Sequence, residues 1–162
     1  VLGDFHSSLF RKTSNLYGLG VFLCLKFEVI QMFELSGKSK SHLVGVHPDL
    51  VRLVNRVIDK TRIDFGVSEG VRDYARQVKL YRNRKTTTLH SQHFINDNTG
   101  YGHAIDIFAY MNGKAQWGSK YYGPIVQTFL TEAVSLGVQI QCGHLWKEFQ
   151  DSPHIQLNPR FY

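Results

Sequence analysis

Residues 91–106 read SQHFINDNTGYGHAID, and no other stretch constrains the fold as tightly. It carries two histidines, His93 and His103, and ends on Asp106, an aspartate in apolar company between Ile105 and Ile107. A matching piece follows downstream, Asp151-Ser-Pro-His154-Ile-Gln-Leu. Two imidazoles and one carboxylate can form the open three-ligand shell that a catalytic zinc keeps, with water in the fourth position. A further carboxylate, Asp151, stands three residues before the last histidine and can take a proton from that water. The two cysteines, Cys24 and Cys142, lie far apart and in no C-x-x-C spacing. A disulfide scaffold or a cysteine zinc knuckle is therefore not expected, and a metal here must be held by His and Asp.

The strand that contains Asp106 alternates. Ala104, Asp106, Phe108 and Tyr110 share one face, and His103, Ile105, Ile107 and Ala109 the other. That parity sets His103 and Asp106 on opposite faces and argues against their joint use on one metal.

Around this centre the periodicity predicts three helices and a few short strands. Pro48 opens the first helix, with Leu50, Leu53, Val54, Val57 and Ile58 as its core stripe and His47 at the cap. His42 and His47 read as bystanders in loop and cap positions. Residues 64–70 form a short strand, followed by Arg72 and a second helix over residues 73–84. Asn112-Gly113 is the signal of a type I′ hairpin turn, with a returning strand at 115–117. Pro124 opens a third helix that stops at Gly137. Residues 138–141 and 154–157 complete the strands. The run 16–27 is apolar but too short to span a membrane, so no stable membrane insertion is expected.

Taken together, Ser91-x-His93, Gly102-x-Ala104-x-Asp106 and Asp151-x-Pro153-His154 resemble the LAS-type zinc peptidases. That family holds D-alanyl-D-alanine carboxypeptidases and dipeptidases and the L-alanyl-D-glutamate endopeptidases of phage lysins. Its pattern is Ser-x-His-x-x-Gly-x-Ala-x-Asp with a distant acid and histidine. In this chain Thr99 stands three residues before Gly102, where the family has its first ligand, so we read six additional residues as a polar loop between His93 and Gly102. His93, just ahead of the loop, is the first-ligand candidate, and His103 the reserve.

The resemblance covers roughly residues 32–157. It implies an α+β fold of the hedgehog/D,D-peptidase-like kind, a small antiparallel sheet carrying a zinc site and packed against about three helices. It implies Zn2+ on His93, Asp106 and His154, with Asp151 as the catalytic base; Glu148 is off the pattern. Val67-Ser-Glu-Gly-Val-Arg72 is similar to the family's strand–Arg–helix element, so Arg72 is expected to bind substrate or steady the oxyanion, the alternative being a surface arginine paired with Asp73 or Glu69. Ser91 and Trp146 are expected to contact substrate, Trp146 being otherwise an ordinary core indole. Each histidine should have an acceptor for its free ring nitrogen.

The implied activity is hydrolysis of the peptidoglycan stem peptide, at the L-alanyl-D-glutamate bond, by a phage or prophage endolysin. The segment Met32-Phe-Glu-Leu-Ser and the Gly-Val-His47-Pro48 run are closer to the lysin branch. A D-alanyl-D-alanine carboxypeptidase and a non-catalytic wall-binding relic of the same fold are the alternatives. The formal charge of +6 and pI near 9.4 suit an anionic bacterial wall. Nucleic acid would also suit the charge, but the chain has no basic helix and no interleaved aromatic–Arg ladder. We expect residues 1–31 to be a leader or upstream extension outside the fold, residues 32–162 to be a single peptidase domain, and the protein to be a monomer. The expected place is the cytoplasm of the infected or lysogenic bacterium, with release to the wall at lysis.

Overall fold

The computed structural model describes residues 32–162. The leader expected at residues 1–31, with its apolar run and Cys24, lies outside the described residues. Four α-helices and one five-stranded antiparallel sheet make up the fold: α1 (Gly37–His42), α2 (Pro48–Ile58), β1 (Asp64–Glu69), α3 (Tyr74–Arg82), β2 (Ala104–Met111), β3 (Lys114–Gln116), α4 (Tyr122–Leu136), β4 (Ile140–Cys142) and β5 (His154–Leu157). The sheet order is β1-β2-β5-β4, and β3 pairs with the far end of β2.

Helix α2 follows the apolar stripe. His47 caps it, its Nδ1 accepting from the Asp49 N–H at 3.2 Å, and all five predicted stripe residues are buried. They pack with Ile125, Val126 and Phe129 of α4 against the inner sheet face, where Phe65, Val67, Ile105, Ile107 and Ala109 point. Helix α1 has no counterpart among the predicted elements, because GKSKSH contains no apolar residue to mark a period. Polar bonds hold it instead. Ser36 caps it, Ser39 Oγ accepts from Val67 N at 3.1 Å, and the ring of His42 donates through Nδ1 to the Val67 carbonyl at 2.7 Å.

Most boundaries differ from expectation by a residue or two, and two of the shifts have local causes. Helix α4 starts two residues before Pro124, which then lies in the first turn, where its missing N–H is not needed. At its other end Gly137 adopts φ 69°, and the N–H groups of Gly137 and Val138 return to Val134 and Ala133. Val138 is thereby tied to the helix stop, so β4 begins at Ile140 instead of 138. The hairpin is as expected: Asn112 and Gly113 both take positive φ, 53° and 73°.

Candidate active site

Strand β2 lies between β1 and β5, and its outer face carries Asp106 and Phe108 while Ile105 and Ile107 fill the core. In the β2–β5 register Asp106 is directly opposite His154, so antiparallel pairing alone brings these two side chains together. His93 arrives from the loop. Its carbonyl accepts from Arg72 N at 3.0 Å, and the neighbouring Gln92 carbonyl accepts from His103 N at 2.7 Å.

The additional residues of that loop fold back on themselves. Asn96 N bonds the Tyr101 carbonyl, Gly100 N bonds the Asn96 carbonyl, and Asn96 Oδ1 accepts from the backbone of Asn98 and Thr99. Gly100 supplies the left-handed turn at φ 73°. His93 and Gly102 are rejoined so closely that a Cβ on Gly102 would stand 3.2 Å from the His93 carbonyl oxygen. Thr99 is turned away and bonds His103 Nε2 at 2.7 Å. His103 is buried on the other side, edge-on to the rings of His47 and Tyr162.

Three atoms converge in the centre. His93 Nε2 lies 3.3 Å from His154 Nδ1 and 3.4 Å from Asp106 Oδ1, and His154 Nδ1 lies 3.2 Å from the same oxygen. The far side of each ring fixes what these atoms are. His93 Nδ1 meets the Gly70 carbonyl at 2.6 Å, which can only accept, so the proton is on Nδ1 and Nε2 presents a lone pair. His154 Nε2 meets Gln156 Oε1 at 2.8 Å, and Gln156 in turn donates to Gln141, so His154 Nδ1 also presents a lone pair. Two imidazole lone pairs and a carboxylate oxygen facing one another at this range repel unless a cation or an extra proton sits among them. The donor set therefore fits a metal ion, two N and one O, with the second hydrogen bond that metal-bound histidines make already formed.

Arg72 sits beside this centre and is not the surface residue of the alternative reading. It is buried; Nη2 donates to Asp106 Oδ2 and Glu69 Oε2, both at 2.8 Å, and Nη1 donates to Gln77 Oε1 at 2.8 Å. Glu69, not Asp73, is its carboxylate partner on the helix side, and Glu69 also takes Arg76 Nε at 3.0 Å. Asp73 caps α3 instead. Gln77 carries the grip outward by donating to the Thr88 carbonyl at the cleft rim.

Burial would raise the Asp106 carboxyl, but where protons take the place of a cation at the centre, the hydrogen bonds and charge of His154 and His93 outweigh it and hold the group far below the usual carboxylate range. Burial likewise works to lower His154, yet the Asp106 carboxylate keeps it above the ordinary histidine value. Asp151 moves the other way. Its burial and the nearby negative charge of Asp106 raise it, against the pull of His154, His93 and Arg72.

Asp151, Ser91 and Trp146 border the same cleft as the three convergent side chains, a volume of about 770 Å³. Ser91 Oγ accepts from His93 N at 3.3 Å and so shapes the turn that delivers His93. Trp146 is half-buried with its ring 5.4 Å from that of His154, a wall of the cleft and not a core indole. Glu148 is exposed and does not line this cleft. Gln156 and the Gly70 carbonyl were not singled out from sequence. Gln156 was within reach, since it is two residues beyond His154 and so shares its face. A backbone carbonyl leaves no trace in a sequence.

Asp151 is held by its main chain: its N–H donates to the Gly143 carbonyl at 3.0 Å and its carbonyl accepts from His154 N at 3.1 Å. This approach depends on Gly143, because a Cβ there would overlap the Asp151 carbonyl and press on His154 Cβ. We expect Gly143→Ala to cost about 1–3 kcal/mol of stability, the usual range for overpacking, and to lower activity by displacing Asp151. Thermal unfolding and turnover measured together check this; an unchanged melting temperature with full activity would contradict it.

The chain matches the family described as phage L-alanyl-D-glutamate peptidase over residues 31–158. It is 24% identical to the L-alanyl-D-glutamate peptidase of Escherichia phage T5 over 123 residues, 74% of this chain and 85% of that one. Its fold is similar to the crystal structure of the Serratia marcescens L-Ala D-Glu endopeptidase ChiX, with a TM-score of 0.72 and 35% identity, covering 83% of this chain and 97% of that chain.

Proposed function

The chain belongs to the phage L-alanyl-D-glutamate peptidase family, and from that premise we propose that it is a zinc-dependent peptidoglycan peptidase that cuts the L-alanyl-D-glutamate bond of the stem peptide as an endolysin. The observation that carries this reading is the convergence of His93, Asp106 and His154 in a cleft that also contains the raised carboxyl of Asp151. His93 Nε2, His154 Nδ1 and Asp106 Oδ1 would hold the ion, which when bound lowers the pKa of a water molecule and polarises the scissile carbonyl.

The remaining work falls to the chain. Asp151 takes a proton from the attacking water and returns it to the nitrogen of the departing D-glutamate. Arg72 grips Asp106 Oδ2 and so aims that carboxylate at the centre, and its charge at the cleft wall favours the oxyanion that develops on the carbonyl oxygen. Ser91 holds the backbone turn at His93, and the Trp146 indole shields the ring of His154 from bulk water on one side.

Arg76 and Lys85 border the cleft, and together with the net charge of +6 they favour approach to an anionic wall. We place the protein, as a monomer, in the cytoplasm of an infected or lysogenic bacterium, reaching the wall at lysis. Digestion of purified sacculi tests the bond assignment. Mass spectrometry should find new C-terminal L-alanine and new N-terminal D-glutamate. Release of free D-alanine with the L-Ala–D-Glu bond intact would assign the site to a carboxypeptidase instead, and zinc binding without any cleavage would make it a wall-binding relic.

A further inference from the structure

Beyond the catalytic centre, the outer face of β2 continues from Asp106 to Phe108, and a tilted aromatic pair stands there. Trp117 lies against Phe108 with ring centroids 5.6 Å apart and planes 35° from parallel. Phe108 is itself seated on Gly66, its partner in the β1–β2 register, so closely that a Cβ on Gly66 would overlap the Phe108 ring. Gly66, Phe108 and Trp117 thus form a column whose base is fixed by backbone and whose top is the indole. That indole remains 57% exposed and borders the same cleft as His93, Asp106 and His154. An exposed indole alone says little, since Tyr74 and Phe161 are as open; what sets Trp117 apart is that it is supported from below by Phe108 and borders the cleft, where a flat ring can receive a ligand face.

The proposed substrate dictates what must lie there. The scissile carbonyl belongs to L-alanine, and the amino group of that alanine is acylated by the lactyl group of N-acetylmuramic acid. One residue of chain plus the lactyl link puts the sugar ring roughly 7 Å from the scissile carbon, taking about 3.8 Å per residue. Along β2 the step from Asp106 to Phe108 is two residues on one face, roughly 7 Å at the rise of a strand. Trp117 rests on Phe108 and borders the cleft, so the indole stands roughly one to two residue lengths along the cleft from the centre, within reach of the sugar. Trp146 is the other indole of the chain, but it is half-buried against His154 and is too close to the centre to receive a group one residue removed.

We infer that Trp117, supported by Phe108, is the platform on which the muramyl sugar of the substrate stacks, so that the enzyme reads the glycan as well as the peptide. The inference rests on the cleavage reading above, and two measurements separate their failures. In the first, the wild-type chain and Trp117→Ala are compared on a disaccharide-bearing stem peptide and on the matching N-lactyl peptide without sugar. The wild type should prefer the sugar-bearing substrate by about tenfold in kcat/KM, mainly through KM, the size of one aromatic contact. That preference should collapse in Trp117→Ala and largely survive in Trp117→Tyr. An equal loss on both substrates, or a preference that persists in Trp117→Ala, overturns the assignment. The second needs no cleavage. In Trp146→Phe, where Trp117 is the sole indole, the GlcNAc–MurNAc disaccharide should produce a saturable fluorescence change that the sugar-free N-lactyl peptide does not. No change with the disaccharide overturns the platform, whatever bond the enzyme cuts.

Discussion

Asp151→Asn should keep its zinc and lose turnover by roughly two orders of magnitude or more, the contribution expected of a positioned general base. The side chain changes by one atom in kind and hardly in shape, so the turn made by Asp151 N with Gly143 and by its carbonyl with His154 N is preserved. What is lost is the ability to take a proton. Burial and the negative charge of Asp106 raise the Asp151 carboxyl, a rise that the charge of a bound cation would work against. Among the described residues no hydrogen bond or ion pair occupies its carboxylate, unlike that of Asp106, which is gripped from both sides. Metal content by elemental analysis and stem-peptide turnover, measured on one preparation, decide the matter. Near-normal turnover in the variant would move the role elsewhere, although Glu148, exposed and outside the cleft, is poorly placed to inherit it.

The second large effect concerns the ion itself. His154→Ala and Asp106→Asn should each reduce zinc from about one per chain to near zero, and activity with it, because a site of three protein ligands cannot hold the ion on two. Asp106→Asn is the more informative, since an amide oxygen can still accept from Arg72 Nη2, which Glu69 also holds, so the buried guanidinium keeps its surroundings while the centre loses its charged ligand. His93→Ala should behave like His154→Ala. His103→Ala should retain zinc, although it removes the bond to Thr99 and the ring contacts with His47 and Tyr162, and so should melt at a lower temperature. Full zinc occupancy in His93→Ala, with loss in His103→Ala, would invert the assignment of the first ligand.

That choice between two histidines shows where sequence reasoning reaches and where it stops. Alternation along residues 104–110 was enough to place Asp106 and His103 on opposite faces, because a strand turns each successive side chain over. The core stripe of α2, the Asn112-Gly113 turn and the Gly137 stop were legible for the same kind of reason: each is a local preference of the backbone or of a 3.6-residue period. Helix α1 escaped notice because its stabilising partners, Val67 N and Val67 O, lie on another element. The role of Arg72 was half legible. Its type and place implied work near the centre, but only the packed structure decided that its guanidinium would be divided among Glu69, Asp106 and Gln77. By itself the sequence determined which residue types were available and which face of each element they would occupy. Tertiary structure decided the rest: the Asp106–His154 register, the closing of the 96–101 turn that returns His93 to Gly102, and the Gly70 and Gln156 acceptors that turn both lone pairs inward. These depend on contacts between segments far apart in the chain, and no local preference encodes them.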